Sequence, residues 1–356
     1  MPKKLSLLVL TIAMSFLFLS CGGPEESKPA DVGASTVESS PSASVTPSPS
    51  EATPAEAAPE PVASFIKPAS GSRPIAVMID NEGTRSLPQG GLDKAQVIYE
   101  IIVEGGETRL MPIFWDADIK MIGPVRSSRH YFLDYAMEHD AIYMHFGWSP
   151  MAQNDISKLK INNINGVSNG GEIFWDLTKD RGNWQDSYTS MQKILDYVKK
   201  VKYRTETDKK PVFTYNQADV EPAAGQKAEK ISLRYSSSYT CGYEYDQTAK
   251  AYNRIRKGNP QMERVSGKQL QASNIIIQYT HNNTIKGDKY DRQELDTTGS
   301  GNGYFITCGK AVKIKWSKET RSAQTKYTDE AGNEVVLNPG QTWIQILPLT
   351  GKVSIE

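Results

Sequence analysis

The sequence predicts an α/β domain built on a mixed sheet over residues 65–215, followed by a mostly β domain over residues 216–356. Apolar runs at 74–81 and 141–147 alternate with helix-patterned segments at 130–138 and 151–159, the alternation expected of α/β structure. Beyond residue 225 the pattern changes to short β-rich runs at 231–245, 251–255, 274–279, 303–306, 312–316, 335–337 and 342–347, separated by Gly, Asn or Asp turns. The polar stretch 202–225 between these patterns suits a domain boundary. A chain of 356 residues is long enough for two cores.

The N-terminus carries Lys3 and Lys4, an apolar run over residues 5–19, and then Ser20-Cys21-Gly22. This resembles a bacterial lipoprotein signal, with residues 1–20 as signal peptide and Cys21 as the lipid-bearing first residue of the mature chain. The lipid would hold the protein at the outer face of the cytoplasmic membrane. Residues 21–64 are nearly all Pro, Ser, Ala, Thr, Glu and Gly, too poor in apolar groups to offset the entropy of folding, and read as a disordered tether with a reach of roughly 35 Å. With Cys21 lipidated, Cys241 and Cys308 remain either as a disulfide, stabilising by roughly 4 kcal/mol if unstrained, or as two separate thiols. Residues 65–356 hold 38 basic and 34 acidic side chains, too mild an excess to indicate nucleic acid binding.

Within the first domain, residues 74–81 read as a buried strand ending at Asp80-Asn81, where α/β sheets place ligands and where turns also favour Asp and Asn. Residues 96–104 and 107–115 read as a hairpin joined by a two-residue Gly105-Gly106 turn. Glu104 then opposes Glu107 and Ile102 opposes Arg109, which puts Glu100, Glu104, Glu107 and Arg109 on one face. Three carboxylates around one arginine suit either proton transfer or a salt-bridge lattice.

The stretch Gly123-Pro124-Val125-Arg126-Ser127-Ser128-Arg129 runs into the helix at 130–138. The proline turns the backbone, Ser127 or Ser128 is placed to cap, and Arg126 and Arg129 stand beside the helix N-terminus, a setting that favours a carboxylate or phosphate. The alternative is that both arginines pair with acids of this chain. His145 lies in the strand at 141–147, as a base or a hydrogen-bonded core residue. Ser149 before Pro150 reads as a helix cap, residues 161–186 as a long ordered loop, 187–201 as an amphipathic helix, and the basic run 254–257 as a solvated edge.

Together, the segments 74–81, 100–109, 123–129, 147–150, 187–190 and 340–344 resemble the YerB-like lipoprotein family, a bacterial group built on a domain of unknown function. The resemblance implies two domains and an extracytoplasmic lipoprotein, with no established activity. The family pattern has histidine where this chain has Glu82, Gln185 and Gln261. If those histidines form a site in relatives, this protein lacks its imidazoles.

Two classes of function follow: a binding or scaffolding lipoprotein for an anionic cell-wall ligand or envelope partner protein, or a wall-directed hydrolase or transferase using the hairpin glutamates. The sequence contains no nucleophile–base pair, metal spacing or phosphate loop, so binding leads and neither cofactor nor metal is implied. Cys21→Ala should abolish incorporation of a labelled fatty acid and release the chain from membranes on fractionation; unchanged labelling would refute the lipid anchor.

Overall fold

Strands buried on both faces must lie inside a sheet that is covered on both sides, and several segments of this chain meet that condition. The computed structural model describes residues 65–115, 118–180, 183 and 185–356. Residues 1–64, where a signal peptide, the lipid-bearing Cys21 and a tether are expected, therefore lie outside the described residues, as does Trp184.

The elements used below, in chain order, are β1 (Ile75–Val77), β2 (Ile79–Asp80), β3 (Val97–Ile102), β4 (Thr108–Phe114), α1 (His130–Glu138), β5 (Ile142–His145), α2 (Pro150–Lys158), β6 (Asn163–Asn165), α3 (Gly166–Ile173) and α4 (Met191–Lys200). They continue with β7 (Lys230–Arg234), β8 (Thr240–Asp246), β9 (Ala251–Arg256), β10 (Asn274–Thr280), β11 (Gly299–Thr307), β12 (Lys310–Lys318), β13 (Thr342–Pro348) and β14 (Lys352–Ile355). Every residue of β3, β4 and β13 is buried, as is nearly all of β10.

The fold class is as the sequence implies: a mixed sheet in the N-terminal region and mostly antiparallel strands towards the C-terminus. The large sheet runs β12-β11-β10-β13-β3-β4-β1-β5-β6. β1, β5 and β6 are parallel, while β4 is antiparallel to both β3 and β1. β13, from the C-terminal region, lies parallel between β10 and β3, so the sheet and its core run without a break across the domain boundary expected at residue 215. A second, antiparallel sheet runs β9-β8-β7-β14. It covers one face of the central strands, where Tyr235 donates its hydroxyl to Glu100 O at 3.1 Å and Gln345 donates to the Tyr243 hydroxyl at 2.9 Å.

Helix α1 covers the other face. Eight of its nine residues are buried, the Tyr99 and Tyr135 rings lie 5.0 Å apart, and Tyr131 donates its hydroxyl to Ile102 O at 2.8 Å. At its end Glu138, fully buried, takes Lys318 Nζ at 2.8 Å and the Tyr99 hydroxyl at 2.5 Å, tying α1 to β12. Ser149 caps α2 by accepting from Ala152 N–H at 3.2 Å, with Pro150 in the first turn, as its sequence indicates. Ser190 caps α4, whose buried stripe is Met191, Ile194 and Val198; Leu195 is largely exposed.

Four expectations are corrected. The hairpin turn is not Gly105-Gly106 but a 3-10 turn over Glu104–Gly106, with both glycines at positive φ, and it shifts the register by one. Ile101 now faces Arg109 and Glu100 faces Leu110 across the pair. Since side chains alternate, that slip puts Arg109 on the α1 face and Glu100 on the opposite one. The span 161–186 is not one loop: it contains β6 and α3, the latter capped by Asn165. Val335 to Leu337 is not a strand of a sheet: Leu337 makes an isolated bridge to Tyr215, and Val335 N–H donates to Tyr327 O at 2.9 Å. Arg254 and Arg256 of the basic run are buried, not a solvated edge.

Trp343, Ile344, Ile346 and Leu347 of β13 are all buried at 0% exposure, and at roughly 1.5–3 kcal/mol each they contribute on the order of 6–12 kcal/mol, comparable with the whole net stability of a domain. A chain ending at Gln341 should therefore show no cooperative thermal transition by circular dichroism. Retention of a cooperative transition in that truncation would show that β3 and β10 are stable without the strand between them.

Candidate functional site

The Gly123-to-Arg129 stretch is extended and is held on three sides by backbone hydrogen bonds. Asp80 N–H donates to Pro124 O at 2.9 Å, Arg126 N–H to Met78 O at 2.8 Å, Val125 N–H to Ser187 O at 2.7 Å and Phe146 N–H to Arg126 O at 2.9 Å. It thus passes over the C-terminal ends of β1, β2 and β5, the side of an α/β sheet where sites are built. Gly123 has φ 152°, and a Cβ there would stand 2.8 Å from the Tyr188 ring, so no other residue fits.

This lay-out brings three guanidinium groups together. Arg126 Nε donates to Asp80 Oδ2 at 3.1 Å and its Nη2 stands 3.9 Å from Glu82. Arg129 grips Glu104 bidentately, with Nη2 to Oε2 at 2.9 Å. Arg109 donates to Ser127 O at 2.7 Å and lies 3.7 Å from Glu104. Its Nε is buried with no hydrogen-bond partner among the described residues. Burial first, then the charges of Arg129 and Arg126, pull the Arg109 pKa down to about 9. Burial alone would raise Glu104, but the hydrogen bonds from Arg129 and the charges of Arg109 and Arg129 outweigh it and hold it below its ordinary value. Glu82 is raised, by burial and then by Asp80.

Asp80 is fully buried: Oδ1 accepts Glu82 N–H at 2.9 Å, and Oδ2 accepts Gln185 Nε2 at 2.9 Å beside Arg126. Glu107 bonds Lys257 Nζ at 2.5 Å, and its Oε2 has no hydrogen bond among the described residues. Arg109, Arg126, Arg129, Asp80 and Glu104 therefore form one connected cluster, while Glu107 turns to Lys257 and lies 3.9 Å from Arg256 of the second sheet. Glu100 and His145 do not join it. His145 is a buried, hydrogen-bonded strand residue, Nδ1 to Gly147 O at 2.8 Å and Nε2 to Asn163 Oδ1 at 3.1 Å. Neither Ser127 nor Ser128 caps α1; Arg129 occupies the cap position, and Ser128 Oγ accepts the Tyr143 hydroxyl.

Glu100 belongs to a second, fully enclosed network. It pairs with Arg254 Nη2 at 2.5 Å, both side chains at 0% exposure, and accepts from Thr108 at 2.8 Å and Asn81 at 3.3 Å. The Arg254 guanidinium is stacked between Tyr243 and Trp343 at 4.8 and 4.6 Å. Asn81 also takes Arg256 Nε at 3.0 Å. The sequence offered a signal for these arginines: at i and i+2 in a strand, Arg254 and Arg256 must share a face. Glu82, Gln185 and Gln261 come together around Asp80-Asn81, since Gln185 also bonds Glu82 O at 3.0 Å and Gln261 bonds Gln89 at 3.2 Å and Asn81 at 3.4 Å.

Cys241 and Cys308 are free thiols: Cys241 is buried beside Gln345, while Cys308 lies near Asn338. Among the described residues, no His, Cys, Asp and Glu group could hold a metal ion, and no helix is long and apolar enough to cross a membrane.

Comparison with known proteins decides the family. Residues 64–204 match the N-terminal domain, and 231–344 the C-terminal domain, of the protein of unknown function DUF3048. The chain belongs to the DUF3048 family. It is 30% identical over 293 residues to YerB of Bacillus subtilis strain 168, described as a candidate lipoprotein, covering 80% of this chain and 84% of that one. The crystal structure of YerB from Bacillus subtilis superposes on this DUF3048 protein with TM-score 0.71 at 26% identity, covering 80% of this chain and 94% of the other.

The enclosed Glu100–Arg254 pair yields a stability test. Arg254→Met alone should cost about 3–5 kcal/mol, because it strands a buried carboxylate, whereas Arg254→Met with Glu100→Leu should recover most of that loss in urea unfolding. Equal destabilisation by the single and double variants would mean that the pair is not coupled.

Proposed function

We propose that this DUF3048 protein is a lipoprotein, anchored through Cys21 at the outer face of the cytoplasmic membrane, that binds an anionic ligand at Arg109 and Arg126. The ligand class is a phosphate- or carboxylate-bearing component of the cell wall, or an acidic segment of an envelope protein. The Ser20-Cys21 signal pattern and the description of the YerB relative support the anchored lipoprotein.

One observation carries the binding reading: three guanidinium groups are crowded together, and the innermost, Arg109, keeps a buried Nε without an acceptor among the described residues. A buried donor left unsatisfied and a cation pressed by like charges are both relieved by an incoming oxyanion. Arg129 has a different part, since its bidentate grip on Glu104 staples the hairpin turn to the start of α1. Because Glu104 is held ionised by that grip, it suits an ion pair rather than a proton donor for hydrolysis.

Inorganic phosphate and short glycerol-phosphate oligomers should raise the melting temperature of the parent protein. Arg126→Gln should weaken binding by about tenfold, as expected from losing one charge-assisted contact, and should also lower the unliganded melting temperature, because buried Asp80 loses its cationic partner. No ligand-dependent shift in the parent, or a large fall in the melting temperature of Arg126→Gln with no effect on affinity, would assign the cluster to structure alone.

A further inference from the structure

A second site lies at the C-terminal ends of the parallel strands β5 and β6. There Trp148 and Asn163, Asn165 and Asn169 line a cavity of about 490 Å³, within the range that holds a small ligand. Apart from Lys160, every residue lining it is uncharged.

Asn165 is the decisive residue. It is 4% exposed, and its Oδ1 accepts two backbone N–H groups, from Gly147 at 3.0 Å and Val167 at 3.1 Å. Those two donors settle which end of the amide is oxygen, because a flipped amide would turn its NH2 towards both. The Nδ2 group that remains is buried and has no partner among the described residues. Buried amide donors are ordinarily satisfied, so an orphan donor on a residue that lines a cavity points to an oxygen acceptor from outside the chain.

The rest of the wall narrows the class of acceptor. The half-buried Trp148 ring is backed by the His145 imidazole at 5.4 Å between centroids. His145 is fixed in turn by Gly147 O and Asn163 Oδ1, so the indole is a braced flat surface. A phosphate or carboxylate would find one lysine and no arginine here. A purely apolar ligand would leave Asn165 Nδ2 unpaired. A sugar ring satisfies both features: its C–H face packs on an aromatic plane, and its hydroxyls both donate and accept, as carboxamides do.

We propose that this cavity binds a pyranose unit of an uncharged oligosaccharide, with Trp148 as the stacking platform and Asn165 Nδ2 donating to a ring substituent oxygen. The site is separate from the arginine cluster and does not depend on the anion reading.

Isothermal titration of the full chain in detergent with chitotetraose and with cellotetraose tests it. The parent should bind at least one of the two. Asn165→Asp keeps the oxygen that caps α3 but loses the donor, and it should weaken binding by about tenfold or more, as should Trp148→Ala. Arg126→Gln should bind the sugar as the parent does. Absence of binding by the parent up to millimolar sugar would overturn the proposal. So would parent-like affinity in Asn165→Asp, or an equal loss in Arg126→Gln.

Discussion

The placement of β13 between β3 and β10 is the constraint on which the rest of this structure depends. A strand from the last fifteen residues completes the hydrogen bonding of one strand from each half of the chain. Neither half can present a finished sheet before the C-terminus has been made. Parallel pairing over such a sequence separation is slow to form, because loop closure precedes any gain from contacts.

Around that seam the protein places charge as well as apolar surface. Glu100 with Arg254 on one face, and Glu138 with Lys318 on the other, each join an N-terminal side chain to a C-terminal one at 0% exposure. Buried ion pairs of this kind contribute little net stability, since desolvation offsets the Coulomb attraction. They do penalise misregistered docking, in which one partner would be buried alone. The aromatic planes of Tyr243 and Trp343 around Arg254 add a geometric requirement that a shifted β13 would fail.

The two candidate sites lie at the same end of the parallel strands and differ in chemistry. The arginine cluster is ionic and braced from the hairpin turn, whereas the Trp148 cavity is neutral and braced by His145. In both, one buried donor lacks an acceptor among the described residues, Arg109 Nε in the first and Asn165 Nδ2 in the second. An arrangement that leaves such donors unpaired is costly in the free protein, which is why each marks a place where a ligand oxygen would be favourable.

Much of the architecture could be read from the sequence. Apolar runs located β1, β5, β10 and β13, the Ser149-Pro150 pair located the start of α2, and the change of pattern after residue 225 marked where β structure takes over. These are local signals, set by side-chain period and by the φ and hydrogen-bonding habits of Pro, Ser and Gly. The hairpin register was not legible, because Gly105 and Gly106 are compatible with a two-residue turn or with the 3-10 turn that forms, and one residue of difference moved Glu100 away from Arg109. The roles of Arg254, Asn165 and His145 were likewise decided only by tertiary structure. Whether a polar group is paired, enclosed or left facing a cavity depends on neighbours far away in the chain, so local sequence determined which residues could carry a site and packing decided which of them do.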